Sequence, residues 1–237
     1  MTPLQPPGTH RPCDAPRPFD SFDGREELAV ELCETMMKIH QRGWCDGTGG
    51  NFSCTLNHRP LLLLMAPSGC DKGSVGAGDL VVVDDGGRVV EGNGRASAET
   101  QLHQAIVREC GAGAVLHTHS QAGTLLSRHY GPYPEQRVSY VTLNQLEMLK
   151  GLEGIQTHDA EVRIPVLSND QDLERLSMTA RPHLADAPHG LLIAGHGLYA
   201  WGATLSIARR HLEVLEFLLE QHWRQLLLDA LVHLSRP

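Results

Sequence analysis

The segment Ala114-Val115-Leu116-His117-Thr118-His119-Ser120 leaves this chain few ways to fold. Small and branched apolar residues run into two histidines two positions apart, and the period of a β-strand puts both imidazoles on one face. A helix would need a spacing of three or four for the same effect. Two neutral imidazoles aimed at one point begin a site for a divalent transition metal, which needs at least one further ligand. Alone, the pair fits either a metal strand or ordinary polar placement. A third histidine, His196, stands in similar company, where Leu191-Leu192-Ile193-Ala194 runs into Gly195-His196-Gly197. A histidine between two glycines at the end of an apolar strand sits where the backbone must turn or come close to something.

The rest of the composition bounds the partners. The 237 residues, 41% of them hydrophobic, suffice for a proper core in one large domain or two small ones. A formal charge of −8, with no Lys/Arg cluster, argues against a nucleic-acid partner, so any anion site must be local. Six dispersed cysteines (Cys13, Cys33, Cys45, Cys54, Cys70, Cys110) without a Cys-x-x-Cys pair or a secretory leader read as reduced thiols of a cytoplasmic protein. The longest apolar run, Leu61 to Ala66, is too short to span a bilayer, and no membrane partner is expected.

In chain order, the first twenty residues hold six prolines and read as a flexible tail over residues 1–20, with a single domain over 21–237. Asp23 is placed to cap a helix with Glu26 three positions on, and Leu28, Leu32, Met36 and Ile39 form its apolar stripe. Gly43 to Cys54 reads as a glycine-rich loop entering a strand. Leu61 to Met65 is a second strand, followed by the small-residue loop Ala66 to Gly73. Leu80–Val83 and Arg88–Val90 flank Asp84-Asp85-Gly86-Gly87 as a hairpin. Ser97 opens a helix that Gly111 closes before the histidine strand. Helices follow over Gln121–His129, Leu173–Leu184 and Thr204–Leu234, with strands at Val138–Leu143, Ile164–Leu167, Gly190–Ala194 and Tyr199–Gly202. Strands and helices interleave without a doubly wound rhythm, which predicts a central mixed or antiparallel sheet layered with helices.

Three small-residue segments could cradle a phosphate. Gly50 and Asn51 in one loop and Ser68 and Gly69 in another offer unhindered backbone N–H groups with amide and hydroxyl donors. Ser97 stands where a helix would begin, with unpaired N–H groups and the positive end of the dipole. Each segment taken singly is equally a turn or a cap. Glu99, in the first helical turn, is explained by the dipole alone. Glu147 lies among apolar neighbours, where its pKa could rise into the range of a general base; the alternative is a surface helix residue. His103, His129 and His158 read as ordinary polar residues.

Taken together, His117-x-His119, the later Gly195-His196-Gly197, and the upstream Gly49-Gly50-Asn51-Phe52-Ser53, Ser68-Gly69 and Ser97-Ala98-Glu99 resemble the class II aldolase/adducin family over about Arg25 to Leu219. The resemblance implies an α/β/α layered sandwich around a mostly antiparallel sheet. It also implies one Zn2+ per subunit on His117, His119 and His196, and a homotetramer with sites near subunit contacts. The implied substrate is a phosphorylated ketose held by the three cradle segments. Gly43-Trp44 with Gly47-Thr48-Gly49-Gly50, Ala66-Pro67-Ser68-Gly69 with Lys72 behind, and Gln145-Leu146-Glu147-Met148-Leu149-Lys150-Gly151 are similar to the family's dehydratase branch of methionine salvage. The last of these has one extra residue before the acid. There Glu147 takes the place of the catalytic acid, while Glu99 occupies the position that the aldolases use as their base. The expectation is therefore a dehydratase, with a sugar-phosphate aldolase or 4-epimerase as the rival on the same scaffold, and a non-catalytic adducin-like module disfavoured by the intact histidines.

Overall fold

A computed structural model describes residues 22–133 and 135–235. The proline-rich tail read over residues 1–20 lies outside them. The first helix, α1, spans Phe22–Gln41, so the Asp23 expected as its cap lies within it. Leu32, Met36 and Ile39 are fully buried at helical spacing, and Gly43, at φ +69°, closes the end by donating its N–H to the His40 carbonyl at 2.9 Å.

Strands β1 (Asn51–His58), β2 (Leu61–Met65), β3 (Val81–Asp84) and β4 (Val89–Glu91) form a meander. Its β3–β4 turn is the expected hairpin, held because Asp84 accepts the N–H groups of Gly86 at 3.0 Å and Arg88 at 2.9 Å. Helix α2 begins at Thr100, not at Ser97, and runs to Cys110. The Ser97 carbonyl accepts from both the backbone N–H and the hydroxyl of Thr100, which closes a turn ahead of the helix and leaves Glu99 in the capping position. Then come β5 (Ala114–Thr118), α3 (Gln121–His129), β6 (Val138–Leu143), a short 3-10 turn at Glu147–Gly151, β7 (Val162–Leu167), α4 (Leu173–Leu184), β8 (Gly190–Ile193), β9 (Gly197–Gly202) and α5 (Leu205–Leu234).

The nine strands among the described residues join one sheet in the order β4-β3-β2-β1-β5-β9-β8-β7-β6, antiparallel except where β7 meets β8. The middle strands are buried on both faces, and their alternation sorts the core into two layers. Ala114, Leu116, Leu198 and Ala200 pack with α1 and α5; Val115, Tyr199 and Trp201 pack with the apolar sides of α2 and α4. The architecture is thus the expected layered sandwich. Helix α5 changes character along its length: Leu212, Leu215, Leu218 and Leu219 are fully buried, whereas Leu227, Leu228 and Leu231 are exposed.

The register also sorts the two ends of the sheet. Thr118 lies opposite Leu198, Ile193 opposite Gly197, Leu167 beside Ile193, and Val138 opposite Leu167, so these residues share one end. Leu143, Val162, Gly190 and Gly202 mark the other. Leu212→Ala, removing a fully buried side chain between α5 and the sheet, is expected to cost about 2–5 kcal/mol, seen as a lower urea midpoint at unchanged slope.

Candidate functional site

The pairing of β5 with β9 brings the three histidines together at that first end. Gly195, at φ +64°, turns the chain between β8 and β9, and a Cβ on Gly197 would overlap the Thr118 carbonyl oxygen. Both glycines flanking His196 are therefore required, one by a turn and one by a close approach. On the other side of β5, a Cβ on Gly50 would sit 2.6 Å from the His117 carbonyl oxygen, and one on Gly49 would sit 2.9 Å from Nδ1 of His119. The glycine loop thus lies directly against the histidine strand, and the His119 N–H donates to the Trp44 carbonyl at 2.7 Å.

The Nε2 atoms of His117 and His119 stand 2.9 Å apart and those of His117 and His196 3.3 Å apart. The rings cross at 60° to 87°. His117 donates its Nδ1–H to the Leu198 carbonyl at 2.9 Å, which leaves Nε2 as a lone pair. Burial holds the His117 imidazole well below its ordinary pKa, and burial followed by the neighbouring His196 lowers that of His119. Metal–nitrogen bonds of 2.0–2.1 Å at tetrahedral angles put nitrogens about 3.3 Å apart, close to the separations seen here. The donor set fits a divalent cation, and the three residues form a group that could hold a metal ion.

Glu99 joins this cluster from the start of α2. Its Oε1 lies 3.1 Å from Nε2 of His196, its Oε2 lies 3.8 Å from Nε2 of His117, and Asn51 donates to it. Burial alone would raise its pKa, but the bond with His196 and the nearby His117 prevail and hold it at about 2. Behind the cluster, in the layer between the sheet and α2, Tyr199 stacks on the His117 ring at 3.9 Å. Also there, His103 meets the Ser53 hydroxyl at 2.7 Å. His103, read from sequence as an ordinary polar residue, is fully buried; its spacing of four from Glu99 on one helical face was the available signal.

The three cradle segments are stitched together. Lys72, 3% exposed, donates its ammonium to the carbonyls of Thr48 and Cys70, each at 2.9 Å, joining the Gly50 loop to the Ser68 loop. Ser68 donates its N–H to the Arg95 carbonyl at 2.8 Å, joining the Ser68 loop to the segment that leads to Ser97 and leaving its exposed hydroxyl for a ligand. Gly69 takes φ +79° with open space at its Cβ position. Lys72 carried no sign of its burial in the sequence, because the carbonyls that hold it come from two separate loops.

Glu147 is not in this group. It opens the 3-10 turn that β6 delivers from the opposite end of the sheet, its side chain is 74% exposed, and it pairs with Lys150. The expectation of a raised pKa is corrected: the hydrogen bond from Lys150, with no burial to oppose it strongly, lowers it. The apolar neighbours act on another side chain, since Leu149 is the residue of the turn that turns inward.

The family model for the class II aldolase and adducin N-terminal domain matches residues 30–223. A methylthioribulose-1-phosphate dehydratase of Sorangium cellulosum (strain So ce56) is 42% identical over 204 residues, covering 84% of this chain and 93% of that protein. The enzyme of that name from Pseudomonas aeruginosa (strain LESB58) is 39% identical over 201 residues, covering 84% of this chain and 94% of that protein. Among solved structures, an L-fuculose-1-phosphate aldolase from Thermus thermophilus superposes with a TM-score of 0.67 at 23% identity, covering 87% of this chain and 98% of that one, a likeness of fold. With the histidine cluster at the β5–β9 end and this match over most of its length, the chain belongs to the class II aldolase and adducin family.

Proposed function

We propose that this chain is a zinc-dependent hydro-lyase of methionine salvage, converting 5-methylthioribulose 1-phosphate to 2,3-diketo-5-methylthiopentyl 1-phosphate. One observation carries the reading: a chain 39–42% identical to proteins named for that dehydration brings the Nε2 atoms of three imidazoles within coordination distance of one point. His117, His119 and His196 would hold the zinc, which when bound offsets the negative charge that builds on the substrate's C2 oxygen as the C3 proton leaves. The Gly50–Asn51, Ser68–Gly69 and Ser97 segments would grip the phosphate and so fix the register of C2 and C3.

Glu147 takes the C3 proton in this proposal, the C4 hydroxyl leaves as water with a proton returned from Glu147 or from a bound water, and the enol ketonises by moving its O3 proton to C4 through solvent. The lowered pKa of Glu147 makes it a weaker proton acceptor, so the step relies on the acidity that the neighbouring C2 ketone gives the C3 proton. Its exposure suits a carboxylate that completes the site of a neighbouring copy, as in the homotetramer implied by the family. The exposed Leu227, Leu228 and Leu231 near the end of α5 support such association. The single nine-stranded sheet supports reading residues 21–237 as one catalytic domain. No helix among the described residues is long and apolar enough to cross a membrane, and the five described cysteines are all free, which supports a cytoplasmic placement.

Glu99 supports a second reading. A carboxylate 3.1 Å from Nε2 of His196 stands where a class II aldolase holds its base. The two reactions part at the bond that breaks. Incubating zinc-loaded protein with 5-methylthioribulose 1-phosphate is expected to yield one product lighter by a water; two carbon fragments in the mass spectrum would establish the aldolase instead. Glu147→Gln is expected to lower kcat by about 10²- to 10⁴-fold with zinc content and oligomeric state unchanged, and full turnover in that protein would remove the assignment of the base. His117→Ala is expected to hold one zinc fewer per chain than the parent by elemental analysis, with a parallel His196→Ala giving the same loss at a partly exposed position that burdens the core less.

A further inference from the structure

A second group of metal-ligating side chains lies at the opposite end of the sheet. His189 immediately precedes β8, His211 lies on α5, and Glu153 follows the Glu147–Gly151 turn. One ligand atom from each lies within 4.8 Å of the other two. The register puts Gly190 opposite Ala200, at the end of β9 away from His196, so this group is separate from the His117 cluster.

The decisive member is His211. It is fully buried, and it donates Nδ1–H to the Trp201 carbonyl at 2.8 Å. That bond fixes the tautomer and makes Nε2 a lone pair, yet Nε2 is buried with no hydrogen-bond partner and faces Oε2 of Glu153 at 4.0 Å. An acceptor facing an acceptor lacks the positive charge both require. The same arrangement, one ring nitrogen bonded to a backbone carbonyl and the other bare, is what orients His117 toward its cluster. His189 is held at φ +56°, a conformation costly for a residue with a Cβ. That backbone carries its ring to within 4.2 Å of the His211 ring.

We propose that Glu153, His189 and His211 form a second site for a divalent transition metal of the zinc class. The donor set, two imidazoles and a carboxylate, is one that zinc accepts with water completing the shell. The rings of His189 and His211 are stacked at 19°, whereas those of the His117 cluster cross at 60° to 87°. Parallel planes cannot both contain one cation, so binding turns the half-buried His189 ring about its side-chain torsions while His211 stays fixed. Glu153, with a side chain 59% exposed, is free to follow, and its charge counters the nearby Arg210, which opposes a cation. Once bound, the metal ties the segment after the Glu147 turn to α5 and to the entry of β8.

The test is equilibrium dialysis of the full chain against micromolar zinc, with zinc per chain read by elemental analysis. The wild type is expected to hold two equivalents, His117→Ala one, and the Glu153→Gln/His189→Asn double variant one. Asparagine tolerates the positive φ at position 189, and both substituted positions are at least partly exposed, so the double variant keeps the fold. Its turnover, whatever the substrate proves to be, is expected to equal that of the wild type. A wild type that saturates at one equivalent, or a double variant that still holds two, overturns the second site; neither result bears on the reaction assigned to the first.

Discussion

The centre of this molecule rests on how closely two antiparallel strands approach at one end. Gly197 meets the Thr118 carbonyl with no room for a Cβ, and Gly50 lies against the His117 carbonyl from the other side. Side chains at those positions would push β9 or the glycine loop away from β5 and separate imidazoles whose nitrogens now lie 2.9 and 3.3 Å apart. The proposed metal site is therefore a consequence of backbone contact before it is one of side-chain placement.

The alternation of β5 gives its last two residues different work. His117 faces the α2 layer, stacked on Tyr199 near the buried His103, while Thr118 faces α5 and donates its hydroxyl to Glu216. Glu216 is 2% exposed, and burial pushes its carboxyl up to about 7 against the hydrogen bonds it accepts from Ser120 and Thr118. The strand that carries the histidines is thus gripped by polar contacts on both faces. This is a costly arrangement in a core, and it fixes the strand more sharply than apolar packing would.

Much of this was legible in the sequence wherever a local period controls the outcome. An apolar run into two histidines marked β5, the segments Gln121–His129 and Leu173–Leu184 matched α3 and α4 at their observed ends, and Asp84-Asp85-Gly86-Gly87 marked the hairpin. The histidine cluster followed from strand periodicity and two glycines. What escaped depends on distant partners. Lys72 is buried by carbonyls from two loops, β7 starts at Val162 because β6 pairs with it there, and Ser97 closes a turn on Thr100 instead of opening α2. For Glu147 the surface alternative is the one the structure shows, on a 3-10 turn and paired with Lys150.

Charge explains why the cluster and the cradle belong together. The chain is acidic, at −8, and the ionised Glu99 sits beside neutral imidazoles, so the centre by itself would repel a phosphorylated substrate. Lys72 supplies one buried positive charge near His119 that counters part of this negative field. A divalent cation on the three imidazoles would add two further positive charges. In a partly buried setting Coulomb interactions at about 4 Å are several-fold stronger than in water, so on the proposed function such a cation would draw a phosphate dianion to the pocket. On the proposed function, metal loading would therefore favour substrate binding as well as the proton transfer that follows it.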